Sequence, residues 1–344
     1  WEQPQETCVT VTWMKLCHQL LRLTGDARWA DELERSLWNA LPAAMMPDAR
    51  WWAYWCPLHG ERIASLAQHS DVGLSCCVAN GPRGLLLTTD WAVMENADGP
   101  VVNLLAPLQA TVRFPGDRPA RLDVRTDYPL GGDVAIHISL DRPADGTISV
   151  RIPAWSACTT VEVNGEPVDA LPGEYVRVTR IWNDNDSIRI RLDMRGRCVP
   201  APSGAPQMAV ERGPLVLALD SRFAPFDNPE NTDKAAWVVG NAEGTLDLEP
   251  IAAPEGVHAA FRTHFNVRPT HFFQHHTIEV ILVDFASAGN QWTEENRFRT
   301  WLPQPLHLRH AFPADTWRLM SPRSETRPEP PADTQSPCSP ISFS

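Results

Sequence analysis

No run of about 20 apolar residues occurs in the 344-residue sequence, so nothing in it reads as a membrane-spanning helix. Positive charge is scarce: 30 Lys and Arg face 42 Asp and Glu, for a net charge of -12. That balance argues against a nucleic-acid partner or an anionic membrane face, and favours a neutral polar substrate over a polyanion. Neither a phosphate-cradling glycine loop nor a G-x-S-x-G elbow occurs, which removes two common catalytic scaffolds. Internal repeats are missing, and so is the C-x-x-C spacing of a thiol redox site. The first residue is Trp1 rather than Met. The expectation is of a chain that starts inside a longer protein or was processed, with any targeting signal upstream and the compartment left open.

What is present is a chain long enough for two or three domains, 43% apolar, with material for a large core. Tryptophan is frequent, 14 against 3 Tyr. Its flat amphipathic ring suits sugar stacking as well as core filling. Eight cysteines occur: Cys8, Cys17, Cys56, Cys76, Cys77, Cys158, Cys198 and Cys338. Five fall in the first quarter, which points to reduced thiols or a metal rather than a dispersed disulfide framework.

The opening stretch has helical spacing. Val9, Trp13, Leu16, Leu20 and Leu23 form one apolar stripe, and Met14, Cys17 and Leu21 a second, so a helix buried on two sides is expected. Gly25 suits its end and Asp26 the cap of the next helix. That second helix carries Ala30, Leu33, Leu37 and Leu41, is expected to pair Glu32 with Arg35, and should stop at Pro42 and Pro47. Two helices joined this tightly form an αα-hairpin, which needs further helices around it, expected before Trp1. Residues 50–62 read as a short strand and turn, and a helical turn is expected from about Pro82 to Thr89.

After Trp91 the pattern changes to short alternating segments: 101–105, 110–114, 122–126, 134–140, 147–152, 160–163, 174–179 and 187–192. Turn signals separate them, Asn164-Gly165 being the clearest hairpin turn. This spacing indicates a β-sandwich. A further strand-rich section begins at Met208. Residues 304–344 are rich in Pro, Ser and charge and are expected to be disordered. The fold class is therefore α+β and multidomain. Residues 1–90 form a helical segment and 91–200 a β-sandwich. Residues 201–303 are a second β-rich domain or return strands, and 304–344 a tail.

The residues with chemical potential are Glu6, Cys8, Cys76 and Cys77. Thiolates and one carboxylate suit a tetrahedral zinc shell. The spacing matches no standard zinc finger, and buried free thiols remain the plainer alternative. If a metal is bound there, one sulfur could act as a nucleophile while its neighbour holds the ion. His59 and His69 flank the loop before Cys76 and could reach a substrate. His271, His275 and His276 form a His-rich run without a nearby carboxylate or thiol. Asp127 and Asp133 bracket a turn and read as turn residues.

As a set, these segments resemble glycoside hydrolase family 127 and its relatives such as family 146, the β-L-arabinofuranosidases. "ETCVTVTWMKLCHQLLRLTGDARWADELERSLWNAL" resembles the family's central helical segment, and "SCCVANGPRGL" its second cysteine segment. "TDYPLGGDVAIHI", "RIPAWS", "VNGEPV", "GEYVRVTRIWNDNDSIRIRLDM", "ERGPLVLALD" and "RFRTWLP" continue the match, from Glu6 to about Pro303. The resemblance implies an (α/α)6 barrel followed by β-sandwich domains. It implies Zn2+ held by Glu6, Cys8, Cys76 and Cys77, with Cys76 also the nucleophile. The implied reaction is retaining hydrolysis of an arabinofuranoside or related glycan through a glycosyl-cysteine thioether. The family's acid/base glutamate lies upstream of the Glu-x-Cys motif. Glu2 is too close to take that role, so the chain is expected to be poorly active alone. The alternatives are a non-catalytic carbohydrate-binding or structural β-sandwich protein and, third, a thiol redox protein using Cys76-Cys77, which a strained vicinal disulfide disfavours.

Overall fold

The computed structural model describes residues 5–63, 75–202, 207–223, 236–237, 244–267 and 276–303. Glu2, His69, His271, His275 and the 304–344 tail lie outside the described residues.

Helix α1 spans Thr7–Thr24 and ends at Gly25, whose φ of 65° is the left-handed geometry that lets its N–H close on the Leu21 carbonyl at 2.8 Å. Asp26 then caps α2, Ala27–Arg35, accepting from Arg28 N at 3.0 Å. The chain continues past α2 without a break, as a π-helical turn over Ser36–Ala40 and a short helix α3, Leu41–Ala43. Pro42, expected to stop the helix, therefore sits inside the helical run. The widened turn leads into Pro42, a residue that cannot donate to the helical ladder. Asn39, in this turn, donates to the Pro214 carbonyl and accepts from Val216 N, tying the turn to a strand far away in sequence.

Only one of the two stripes on α1 is buried. Val11, Met14, Cys17 and Leu21 enter the core, while Val9, Trp13, Leu16 and Leu23 are exposed. Among the described residues no ion pair joins Glu32 to Arg35; Glu32 instead accepts from Trp13 Nε1 at 3.4 Å. Helix α4, Cys76–Leu86, begins six residues earlier than the expected turn and carries Pro82 within it. Local propensity opposes a helix there, and tertiary packing supplies it: Gly81 lies against the Trp52 ring and Gly84 against Val11 and Leu41.

The alternating segments form two sheets. One has the strand order Glu166–Val168, Thr160–Val163, Ser187–Arg191, Asp133–Ser139, Arg118–Thr126, Leu108–Phe114. The other has the order Tyr175–Trp182, Ala144–Arg151, Gly99–Val102, Val93–Asn96. Their inward residues, among them Val112, Leu122, Ile136, Ile148, Val176 and Ile188, join one apolar cluster with those of α1 and α2. The expected hairpin at Asn164-Gly165 is present, with φ of 52° and 88°, the geometry of a type I′ turn. A third, larger sheet runs from Gly196 to Pro303. A two-residue strand from the helical part, His59–Gly60, pairs with Phe298–Arg299 and so joins this sheet.

A buried ion network fastens α2 to the sandwich. The Arg151 guanidinium is fully buried and pairs with Glu34, itself 1% exposed, at 2.6 Å, and with Asp31. Burial pulls the Arg151 pKa down, but Glu34 and Asp31 outweigh it and hold the group charged above its usual value. Tyr128 Oη donates to the same Glu34 carboxylate at 2.6 Å and Trp155 Nε1 at 3.3 Å. Glu34→Ala removes the acceptor of Tyr128 and Trp155 and leaves the buried Arg151 guanidinium with only Asp31 and the Asn103 carbonyl. A loss of about 3–5 kcal/mol in unfolding free energy is expected in urea titration. Arg35→Ala on the exposed side of the same helix is expected to cost under about 0.5 kcal/mol.

Candidate metal centre

The two cysteine segments meet where α1 and α4 begin. Glu6 forms a two-residue strand with Gln5 that pairs with Trp55–Cys56. Thr7 N donates to the Tyr54 carbonyl at 3.0 Å, and Thr7 Oγ1 to that of Ala53 at 2.7 Å, so the start of α1 is pinned from two atoms of one residue. Cys8 follows in the first helical turn, and Cys76 and Cys77 are the first two residues of α4. Neither N-cap residue, Glu6 nor Ser75, uses its side chain to cap its helix. The Glu6 carboxylate is left for the cluster, and two positive helix ends face the same point.

One ligand atom from each of Glu6, Cys8, Cys76 and Cys77 lies within 4.8 Å of the others. Cys8 Sγ and Cys77 Sγ are 3.5 Å apart. A tetrahedral ion about 2.3 Å from each sulfur would set them about 3.8 Å apart, so this pair is spaced as two thiolate ligands of one metal ion would be. The four residues singled out from the sequence are thus brought together, across a separation of about seventy residues. His59 is not among them; it lies exposed on the strand paired with Arg299. Asp127 and Asp133 border a turn of the sandwich, Asp127 through its carbonyl to Leu130 N, as turn residues do.

As bare thiols, Cys8 and Cys77 resist ionisation. Burial pushes Cys8 up to about 12, with the neighbouring Cys76 adding to the shift and a hydrogen bond from Asn80 opposing it. Burial also raises Cys77, and the nearby Cys76 raises it further, against a bond from Cys8. Several thiolates around one point repel each other in a poorly solvated site, and a dication reverses the sign of that balance. The surroundings differ among the sulfurs: Cys77 is fully buried, Cys8 half-buried, and Cys76 exposed.

Two residues of the site were missed in the sequence. Asn80 Nδ2 donates to Cys8 Sγ at 3.1 Å. Tyr54 stands close enough for Glu6 and the three cysteines, after burial, to raise its pKa. Asn80 had a usable signal, since it lies three and four residues after the cysteine pair on one helix face. Tyr54 had none.

The seat of the cysteine pair depends on Gly81. A Cβ built there would lie 2.2 Å from the Trp52 ring, so any side chain pushes α4 away from its place. Gly81→Ala is expected to lower metal affinity at least about tenfold by chelator competition, since one displaced ligand pair misses the tetrahedral geometry. Gly165→Ala, in a turn with open space around it, should leave that affinity unchanged.

Comparisons with known proteins bear on the chain as a whole. Residues 2–88 match the model of the β-L-arabinofuranosidase GH127 catalytic domain, and residues 101–194 that of the GH127 middle domain; together they make up more than half of the chain. A non-reducing end β-L-arabinofuranosidase from Bifidobacterium longum subsp. longum is 31% identical over 269 residues, covering 72% of this chain and 39% of the relative. A solved glycoside hydrolase superposes with a TM-score of 0.74 at 24% identity, covering 88% of this chain and 52% of that one. A GH127 β-L-arabinofuranosidase from Geobacillus stearothermophilus T6 gives 0.72 at 19% identity, covering 88% and 50%. The chain thus spans about half the length of these solved relatives, and less of the curated one. With both GH127 domain models matched in order and the fold shared, the chain belongs to glycoside hydrolase family 127.

Proposed function

We propose that this chain carries the nucleophile half of a zinc-dependent retaining glycoside hydrolase of the β-L-arabinofuranosidase type. The observation that carries the reading is the convergence of one carboxylate and three sulfurs within 4.8 Å, with Cys76 the exposed sulfur. Glu6, Cys8, Cys76 and Cys77 would hold the ion. When bound, zinc would keep the sulfurs as thiolates and steady the Cys76 sulfur both as attacking and as leaving group.

Cys76 Sγ attacks the anomeric carbon of an arabinofuranoside or related glycan. The C–S bond forms as the glycosidic C–O bond breaks, and the departing oxygen takes a proton. Water then displaces the sulfur, giving the sugar with retained configuration. Cys8 and Cys77 hold their places in both steps, Cys77 by burial and Cys8 by burial and the Asn80 amide. The proton for the departing oxygen requires an acid outside the cluster, in which Glu6 is the sole carboxylate among the described residues. We place that acid upstream of the Glu6-x-Cys8 segment. In the same reading, residues 1–90 contribute helices to an (α/α)6 barrel, 91–200 form the sandwich, and 201–303 a second β-rich unit.

An aryl glycoside with a nitrophenolate leaving group departs without protonation. Zinc-loaded chain incubated with such a β-L-arabinofuranoside is therefore expected to gain one pentosyl group at Cys76, located by peptide mass spectrometry, while multiple turnover stays slow. Cys76→Ala should gain none, and Cys77→Ser should lose most of the roughly one zinc per chain expected of a single four-ligand site. Zinc-loaded wild type that stays unmodified would overturn the assignment of the nucleophile. Wild type purified without chelator and free of zinc would favour a carbohydrate-binding role.

Zinc affinity should also depend on pH in a defined direction. Because Cys8 and Cys77 are both raised, they are protonated at neutral pH, and loading must release their protons. Affinity should rise with pH through the neutral range, with proton release visible as buffer-dependent heat in calorimetry. A pH-independent affinity between pH 6 and about 8 would contradict thiol ligation.

A further inference from the structure

Asn80 sits on the face of α4 that also carries Cys76 and Cys77, three and four residues before it. Its Nδ2 donates to Cys8 Sγ at 3.1 Å, across from a different helix. An ionised or metal-bound sulfur can only accept, so the amide must turn its N–H toward Cys8. Cys77 is closed off in another way: it is fully buried, with its sulfur 3.9 Å from the Tyr54 carbonyl and 3.5 Å from Cys8. Among the described residues, no N–H donates to Cys76 Sγ, and Cys76 is the exposed member of the three. A hydrogen bond to sulfur occupies a lone pair that would otherwise reach an electrophile, and it fixes the direction in which the sulfur points.

We infer that Asn80 is a positioning residue that makes Cys8 a holding sulfur and leaves Cys76 as the one sulfur open to attack. The assignment builds on the proposed metal-thiolate function, and it concerns which of the bound sulfurs reacts. The Asn80 side chain therefore acts as a selector among three chemically identical groups. The one-turn spacing from the cysteine pair lets the same helix present the nucleophile and quiet its neighbour.

The test is competitive alkylation of the whole chain with limiting iodoacetamide, in which sulfur displaces iodide and forms a C–S bond. Modified cysteines are located by peptide mass spectrometry in zinc-loaded protein, where the sulfurs are held as thiolates and the bond acts on their nucleophilicity. In wild type, Cys76 should be modified well ahead of Cys8. In zinc-loaded protein, Asn80→Ala and the isosteric Asn80→Asp both remove the donor and should raise the Cys8 to Cys76 labelling ratio about tenfold, the size of one charge-assisted hydrogen bond. Asn80→Ala should also weaken zinc about as much in chelator competition. Circular dichroism and the urea midpoint check that both variants stay folded, and Asn80→Asp keeps the side-chain shape should the alanine variant unfold. An unchanged labelling ratio in folded Asn80→Asp overturns the inference. If wild type takes no zinc, the metal reading fails and this role with it; with zinc bound, an unchanged ratio overturns the role of Asn80 alone.

Discussion

A guanidinium removed from water has to be answered by charge or by oriented dipoles, and two buried arginines fix how the helical part of this chain is held. Arg151, on the edge of the sandwich core, is answered by Glu34 and Asp31 of α2. Arg62 follows the loop that carries Tyr54 and Cys56. It donates to the carbonyls of Ala43, Phe285 and Ala288 and to Cys56 Sγ, and lies over the rings of Phe285 and Phe298. One arginine ties the helices to the sandwich, and the other ties them to the last sheet. Neither contact is near in sequence, and neither can be loosened without leaving a buried polar group unpaired.

Between these two fastenings lies the cluster of sulfurs. The strand containing Trp55 and Cys56 pairs with Glu6, and its Tyr54 carbonyl receives the first amide of α1. Trp52, two residues earlier, is the surface on which Gly81 of α4 rests. A single stretch of chain therefore sets the height of both helix ends. Adjacent cysteines then make sense: one helix start delivers two sulfurs to one point, the buried Cys77 facing inward and Cys76 facing out. Vicinal cysteines that look odd as a redox pair are well placed as neighbours around an ion.

Much of the fold was legible because its signals are local. Alternation marked eight of the ten strands of the two sheets, since successive side chains of a strand point to opposite faces, and missed the short strands Val93–Asn96 and Glu166–Val168. Gly25 and Asn164-Gly165 act through their own backbone and Asp26 through a side chain that reaches an amide two residues on, and all were placed correctly. The errors fell where a distant partner decides. Two apolar stripes on α1 predicted burial on both sides, yet Trp13 and Leu16 are exposed among the described residues. Pro82 suggested a late helix start, yet packing against Trp52 and Leu41 carries α4 back to Cys76. Glu32 met Trp13 rather than Arg35, because a ring on the adjoining helix was within reach of its carboxylate.

The sequence by itself determined most of the strand pattern and the break between α1 and α2, because those signals belong to short segments, and its resemblance to a family singled out the four ligand candidates. Only the tertiary structure decided that Glu6 and Cys8 share a point with Cys76 and Cys77, and that their three sulfurs are unequal. Distance, burial and a hydrogen bond from Asn80 distinguish those sulfurs. All three depend on the close seating of α4 over Trp52, which no local signal encodes.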